Sequence, residues 1–329
     1  MICSKCGLAT SEGFRFCPRC GASLVIPVKI DKAKLKGPRE EVLNAIRKHE
    51  STDREVPPLW IWVMFFVYLI WIVSSTVIAF SVALGVLEED PYDPDYDVLF
   101  NEMKDQMTAP ILFGVAFYGL AAALTYTIIS KMNRHYDRDD ELRAASRSLI
   151  SAGTSTASSR LTVGGDLTAM DRTDDMMASQ QRKLNPILWS SAVALPLVIS
   201  ILQWIVMYSS DGYSEYQDVS LPLSVVIYLS YIPVLYLSYT LTKNIFDHHY
   251  DWADFANQTS TAVCDLGLPP MNSYMGGSIP RRSFGVYLLV TIITAGFFMF
   301  YWWYSIIKDL NHHFKAHRYF EDELARSVR

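Results

Sequence analysis

Five long stretches of the chain carry no charged residue, at 56–87, 106–130, 184–210, 219–242 and 283–307. A helix needs roughly 20 apolar residues to cross a bilayer, so each stretch is long enough for a membrane segment. Past three of them the pattern changes rather than stops. "YTIISKMNRHY" from Tyr126, "YTLTKNIFDHH" from Tyr239 and "YSIIKDLNHHF" from Tyr304 align on their tyrosine, and each places a histidine nine residues on, at His135, His248 and His313. Each continues with apolar residues at alternating spacings of three and four, which predicts helices running out of the membrane with a heptad-like seam. The seams read Ile128, Met132, His135, Asp139, Leu142; Leu241, Ile245, His248, Trp252, Phe255; and Ile306, Leu310, His313, His317, Phe320, Leu324. The shared histidine therefore lies on the apolar stripe of each helix.

Charge orients the segments. The region before Val56 holds 11 Lys and Arg, and 131–183 holds nine, whereas 88–109 holds one against eight acids and the loop "DGYSEYQD" holds none. Basic residues accumulate on the cytoplasmic side, which predicts a multi-pass protein of the cell membrane with a cytoplasmic N-terminus. Residues 1–55 are polar, so the first span must itself direct insertion. The lipid bilayer is the first expected partner. The fifth stretch poses a conflict: its length favours a span, while the basic tail and the third histidine copy favour a hairpin bent at Gly296 that re-enters on the same side.

The first residues, "MICSKCGLATSEGFRFCPRCGA", hold two C-x-x-C pairs, Cys3 with Cys6 and Cys17 with Cys20. Two such turns complete a tetrahedral four-cysteine site for a structural Zn2+, and Gly7 and Gly21 behind each pair relieve the turns. Two disulfides would use the same cysteines, but a cytoplasmic location disfavours them. The stretch resembles the short zinc ribbons that head many prokaryotic proteins. A protein partner docking through the ribbon is expected ahead of nucleic acid, because the basic run after it lacks interleaved aromatics. Cys264, in a polar stretch, reads as an incidental thiol.

"PPLW" and "NPILW" open the first and third spans, and each pair of spans encloses an acidic, tyrosine-bearing loop. The predicted fold is an all-α polytopic membrane protein with parallel duplicated helical hairpins and cytoplasmic helical extensions, plus a small N-terminal zinc ribbon. The expected divisions are a zinc ribbon at 1–24, a basic cytoplasmic linker or helix at 25–55, and a first hairpin with its cytoplasmic helix at 56–150. A flexible linker at 151–183 follows, then a second hairpin with its helix at 184–260 and a second flexible linker at 261–282. The last membrane segment and an amphipathic C-terminal helix occupy 283–329. Both linkers are rich in Ser, Thr, Ala and Gly, hence the expectation of flexibility.

"TAGFFMFYW" in the last segment resembles a T-x-G-[aromatic or Ile]-Y-x-x-Y-W motif. That motif marks a family of prokaryotic, archaeal-type membrane proteins of unassigned activity that often carry an N-terminal zinc ribbon. Thr294, Gly296, Tyr301 and Trp302 match; Phe298 stands for the tyrosine and Met299 for a frequent second glycine. The resemblance covers roughly the last fifty residues plus the ribbon, and implies no activity.

The charge-free spans lack intramembrane acids, bases and metal ligands, and no H-E-x-x-H, G-x-S-x-G or phosphate-cradling loop occurs. The expected function is a non-enzymatic membrane scaffold or adaptor presenting the ribbon and a helical bundle on the cytoplasmic face; a homo-oligomer stays open. The alternative is metal handling or transport by a layer formed of His135, His248 and His313, which could hold a metal or haem or act as a pH switch. Against it stands a plainer reading: interfacial histidines bonded to nearby backbone, or to Asn133 and Asn311.

Overall fold

The computed structural model describes residues 34–89, 96–154, 157–272 and 277–329, so the four ribbon cysteines lie outside the described residues. Within them the chain is all-helical. Two short helices, α1 (Lys36–Arg47) and α2 (His49–Thr52), lead into α3 (Leu59–Glu89), α4 (Tyr96–Gln106) and α5 (Thr108–Gly153). Next come α6 (Ala157–Gln180), α7 (Pro186–Ser209), α8 (Tyr213–Asp265), α9 (Phe284–Ile293) and α10 (Phe298–Val328).

Four helices, α3, α5, α7 and α8, are long and apolar enough to cross a membrane. Their apolar side chains face outward: Phe66, Val73, Val77 and Phe80 on α3 and Val225, Tyr228 and Ile232 on α8 are exposed. Such a surface suits hydrocarbon rather than water. At 1.5 Å per residue the 46 residues of α5 extend about 69 Å and the 53 of α8 about 80 Å. Both overshoot a hydrocarbon core of about 30 Å, and beyond it the pattern inverts. Leu142, Trp252, Phe255, Phe320 and Leu324 are now buried, forming a second core with Leu35, Val42 and Ala45 from the α1 region. A separate core nearer the spans joins Ile128, Met132, Leu241, Ile245, Ile306 and Leu310. The seams read from the sequence are thus the packed faces of α5, α8 and α10.

Local chemistry sets the helix ends. Asn185 caps α7, its Oδ1 accepting from the backbone N–H of Ile187 at 3.0 Å and of Leu188 at 3.1 Å, with Pro186 in the first turn where no N–H is needed. The fifth apolar run breaks at 294–297. Gly296 takes φ +92 and Ala295 φ 47, and the Thr294 hydroxyl accepts from Phe298 N–H at 3.0 Å. The chain doubles back there: Tyr287 stacks on Trp302 at 5.3 Å and Phe284 packs on the same ring at 5.9 Å. Two indoles then tie α10 to α8, Trp302 donating to Thr242 Oγ1 at 2.9 Å and Trp303 to Ser238 Oγ at 3.0 Å.

Two segments differ from expectation. The stretch 151–183, expected to be a flexible linker, is helical over Ala157–Gln180. Its Met170, Thr173 and Met177 are buried, spaced by three and four, and Thr173 accepts from Gln258 Nε2 at 2.9 Å on α8. The stretch 261–282 continues α8 as far as Asp265. It then buries Leu266, Leu268, Met271 and Ile279, and Gly267 makes the turn at φ +73. Cys264 lies in the last turn of α8 and is exposed.

Candidate metal centre

Between the two apolar cores lies one polar layer. His135 and Asp139 come from α5, His248 from α8, and His313 and His317 from α10. Each of these five residues is at most 5 % exposed. Each offers a donor atom, and the five donors lie within 4.8 Å of one another. The structure therefore brings together all three histidines singled out from the sequence. It adds Asp139 and His317, which sit four residues after His135 and His313. An i, i+4 step keeps a residue on the same helix face, so H-x-x-x-D and H-x-x-x-H on the seams were the available signal.

Four of the five donors are spaced as in a coordination shell. His135 Nε2 is 2.9 Å from His313 Nε2, 3.3 Å from His248 Nε2 and 3.0 Å from Asp139 Oδ2, and His248 Nε2 is 2.9 Å from Asp139 Oδ2. Ligands about 2.1 Å from one ion are separated by about 3.0 Å in an octahedron and about 3.4 Å in a tetrahedron. The Nε2 of His317 is buried without a hydrogen-bond partner, and its ring stacks on Trp252 at 4.1 Å.

Outer partners decide which way the imidazoles face. Asp53 Oδ2 lies 2.9 Å from His135 Nδ1. A carboxylate only accepts, so Nδ1 carries a hydrogen. Without an ion, Nε2 carries one as well, facing Asp139 Oδ2 at 3.0 Å, and a metal ion at the centre would take that proton's place. The carbonyl of Gly277 lies 3.1 Å from His249 Nε2 and likewise fixes its hydrogen there. His249 Nδ1 must then accept, 3.2 Å from His313 Nδ1, which leaves the Nε2 lone pair of His313 facing inward. His313 Nε2 lies 2.9 Å from His135 Nε2, so its lone pair can face either the proton on His135 or a metal ion that replaces it. His248 Nδ1 lies 3.0 Å from the Gln181 amide, which can present its nitrogen or its oxygen. Asn133 and Asn311 take no part: Asn133 donates to Leu184 O at 2.7 Å, and Asn311 pairs with the backbone of Val56.

Charge points the same way. Arg138 Nη2 lies 2.8 Å from Asp53, 3.2 Å from Asp139 and 2.8 Å from Glu321, and His49 Nδ1 lies 2.9 Å from Glu321 Oε2. In this network Asp53, Asp139 and Glu321 meet the one guanidinium of Arg138, an excess of two negative charges before any proton on His135. All the ligands lie past the charge-free stretches. Burial opposes a charge on His135, but Asp139 and Asp53 outweigh it and hold its pKa at about 9. Burial pushes Glu321 up. Burial and the neighbouring imidazoles push His313 and His317 well below the usual range, and burial lowers His248. Burial also works against Asp139 as an anion, yet His135 and His317 hold it well below its ordinary value. A metal ion requires neutral imidazoles and an ionised carboxylate; His248, His313, His317 and Asp139 meet that condition, and His135 would release its proton when an ion binds.

Residues 2–24 match the zinc-ribbon domain family. No curated protein and no solved structure matches the chain. Fold and match together define an all-α membrane protein with an N-terminal zinc-ribbon domain.

Proposed function

We propose that this chain is a membrane-anchored adaptor whose helical bundle is pinned by a divalent transition-metal ion, and which displays its ribbon on the cytoplasmic face. The observation that carries the reading is the five-donor layer, with Nδ1 of His135 and of His313 bonded outward. A proton on His135 compensates one of the two excess negative charges, whereas a divalent ion compensates both. Four imidazoles and one carboxylate suit Zn2+, Co2+, Ni2+ or Fe2+ rather than Mg2+ or Ca2+, which prefer oxygen. The ion would join three helices from distant parts of the chain. Enclosure of the donors supports a structural or sensing role over catalysis or transport. The extensions of α5, α8 and α10 and the N-terminal α1 pack at one end of the bundle, and the basic residues of 1–55 and 131–183 support a cytoplasmic placement of that end. The ribbon's own Zn2+ would be held by Cys3, Cys6, Cys17 and Cys20 and would fold that small domain.

The test is a full-length chain with all four ribbon cysteines changed to serine, purified in mild detergent. The proposal expects one divalent ion per chain, lost on changing His248 and His313 to alanine. A ribbon-free chain that keeps its helix content and takes up no ion overturns it.

A further inference from the structure

The segment between α1 and α3 crosses the metal layer and is tied down along its length. Lys48 pairs with Glu141. His49 reaches Glu321, and the Asp53 carboxylate, fully buried, bridges His135 Nδ1 and Arg138. Lys131 donates to the carbonyls of Arg54 and Glu55. Val56 is held twice by Asn311, its N–H donating to Oδ1 at 2.8 Å and its carbonyl accepting from Nδ2 at 2.8 Å. One fully buried carboxylate of this strap is thus an outer partner of a metal ligand, while the other end of the strap continues through α1 toward the ribbon.

We infer that ion occupancy at the His/Asp layer and docking of the ribbon-bearing N-terminal arm are linked, with Asp53 as the positioning residue that couples them. The inference rests on the metal reading above. An ion on His135 Nε2 draws electron density from the ring and strengthens the Nδ1–H bond to Asp53. Binding free energies are reciprocal, so whatever the ion adds to strap docking, the docked strap adds to ion affinity. Helices α5, α8 and α10 carry the ligands, and the strap carries none, so the strap can part from the bundle without dismantling the ligand set. The level of the ion would then set how firmly segment 48–56 is held against the bundle.

The experiment uses the full chain in lipid nanodiscs, its ribbon loaded with zinc, with Co2+ as the probe. Co2+ affinity is read from its visible absorption, and hydrogen exchange is followed in peptides covering 48–56. In the wild type, Co2+ should slow exchange in those peptides, and His313→Ala should abolish that effect. Asp53→Asn, which keeps the shape but not the charge, should weaken Co2+ binding by about 10–100-fold. Asn311→Ala frees Val56 without touching a ligand or an outer partner, and should weaken Co2+ binding in the same direction. Full Co2+ uptake with exchange at 48–56 unchanged, and affinity in Asp53→Asn and Asn311→Ala within twofold of wild type, would overturn the linkage and leave the metal site standing. No uptake beyond the ribbon in the wild type would overturn both.

Discussion

Replacing Arg138 with methionine isolates the electrostatic core of the layer. The guanidinium-bearing residue is 2 % exposed and meets Asp53, Asp139, Glu321 and His49. Methionine fills much of the same volume, so the loss is chiefly of charge and hydrogen bonds. Buried carboxylates deprived of their partner cost about 3–5 kcal/mol when an ion pair is broken from one side. That is a large share of a typical net stability of about 5–15 kcal/mol. The variant should therefore melt several degrees lower, measured by tryptophan fluorescence on detergent-solubilised, ion-free protein. Adding Glu321→Gln should recover part of the loss, because it removes one uncompensated charge. A single variant within about 1 kcal/mol of wild type, with no recovery in the double variant, would refute the assignment of Arg138 as the compensating charge.

Further outcomes follow from other contacts. In ion-free protein, His135 is raised to about 9 from an ordinary value of 6.5. Its stabilisation is fully present below about pH 6.5 and is lost as pH rises through about 9; a titration of melting temperature, absent in His135→Gln, checks this. With a divalent ion present the slope should reverse on the acid side, since protons compete for the ligands. A chelator that strips the ion should lower stability by about 2.7 kcal/mol if the ion had been at a hundred times its dissociation constant, as calorimetry would show. Gly153→Ala would drive a Cβ to 2.6 Å from Leu266 Cδ2 and should cost about 1–3 kcal/mol through overpacking. Thr294→Val removes the hydroxyl that accepts from Phe298 N–H and should cost about 1 kcal/mol, read from the same thermal assay.

Much of this was legible because helical seams obey simple periodicity. The three-four spacing placed His135, His248 and His313 at one level, and their ring centroids lie within 5.3 Å. Asp139 and His317 stood on the same seams, yet repetition marked only the copied position. The bend at Gly296 was visible because a glycine can take positive φ without strain. Asp53 was not legible: it lies 82 residues from His135 in a segment without periodicity, and only tertiary folding makes it an outer partner. Helix α6 was hidden by its Ser, Thr and Gly content, which outweighed a short stripe of Met170, Thr173 and Met177. Composition speaks for the isolated chain, whereas burial against α8 supplies what composition lacks.

X-ray absorption at the edge of the bound metal, on the full chain with its four ribbon cysteines replaced by serine, tests the metal centre most directly. The account predicts one ion per chain with a first shell of nitrogen and oxygen at about 2.0–2.2 Å, imidazole outer-shell scattering and no sulfur. A sample that holds no ion, or an ion whose shell lacks imidazole, would contradict it.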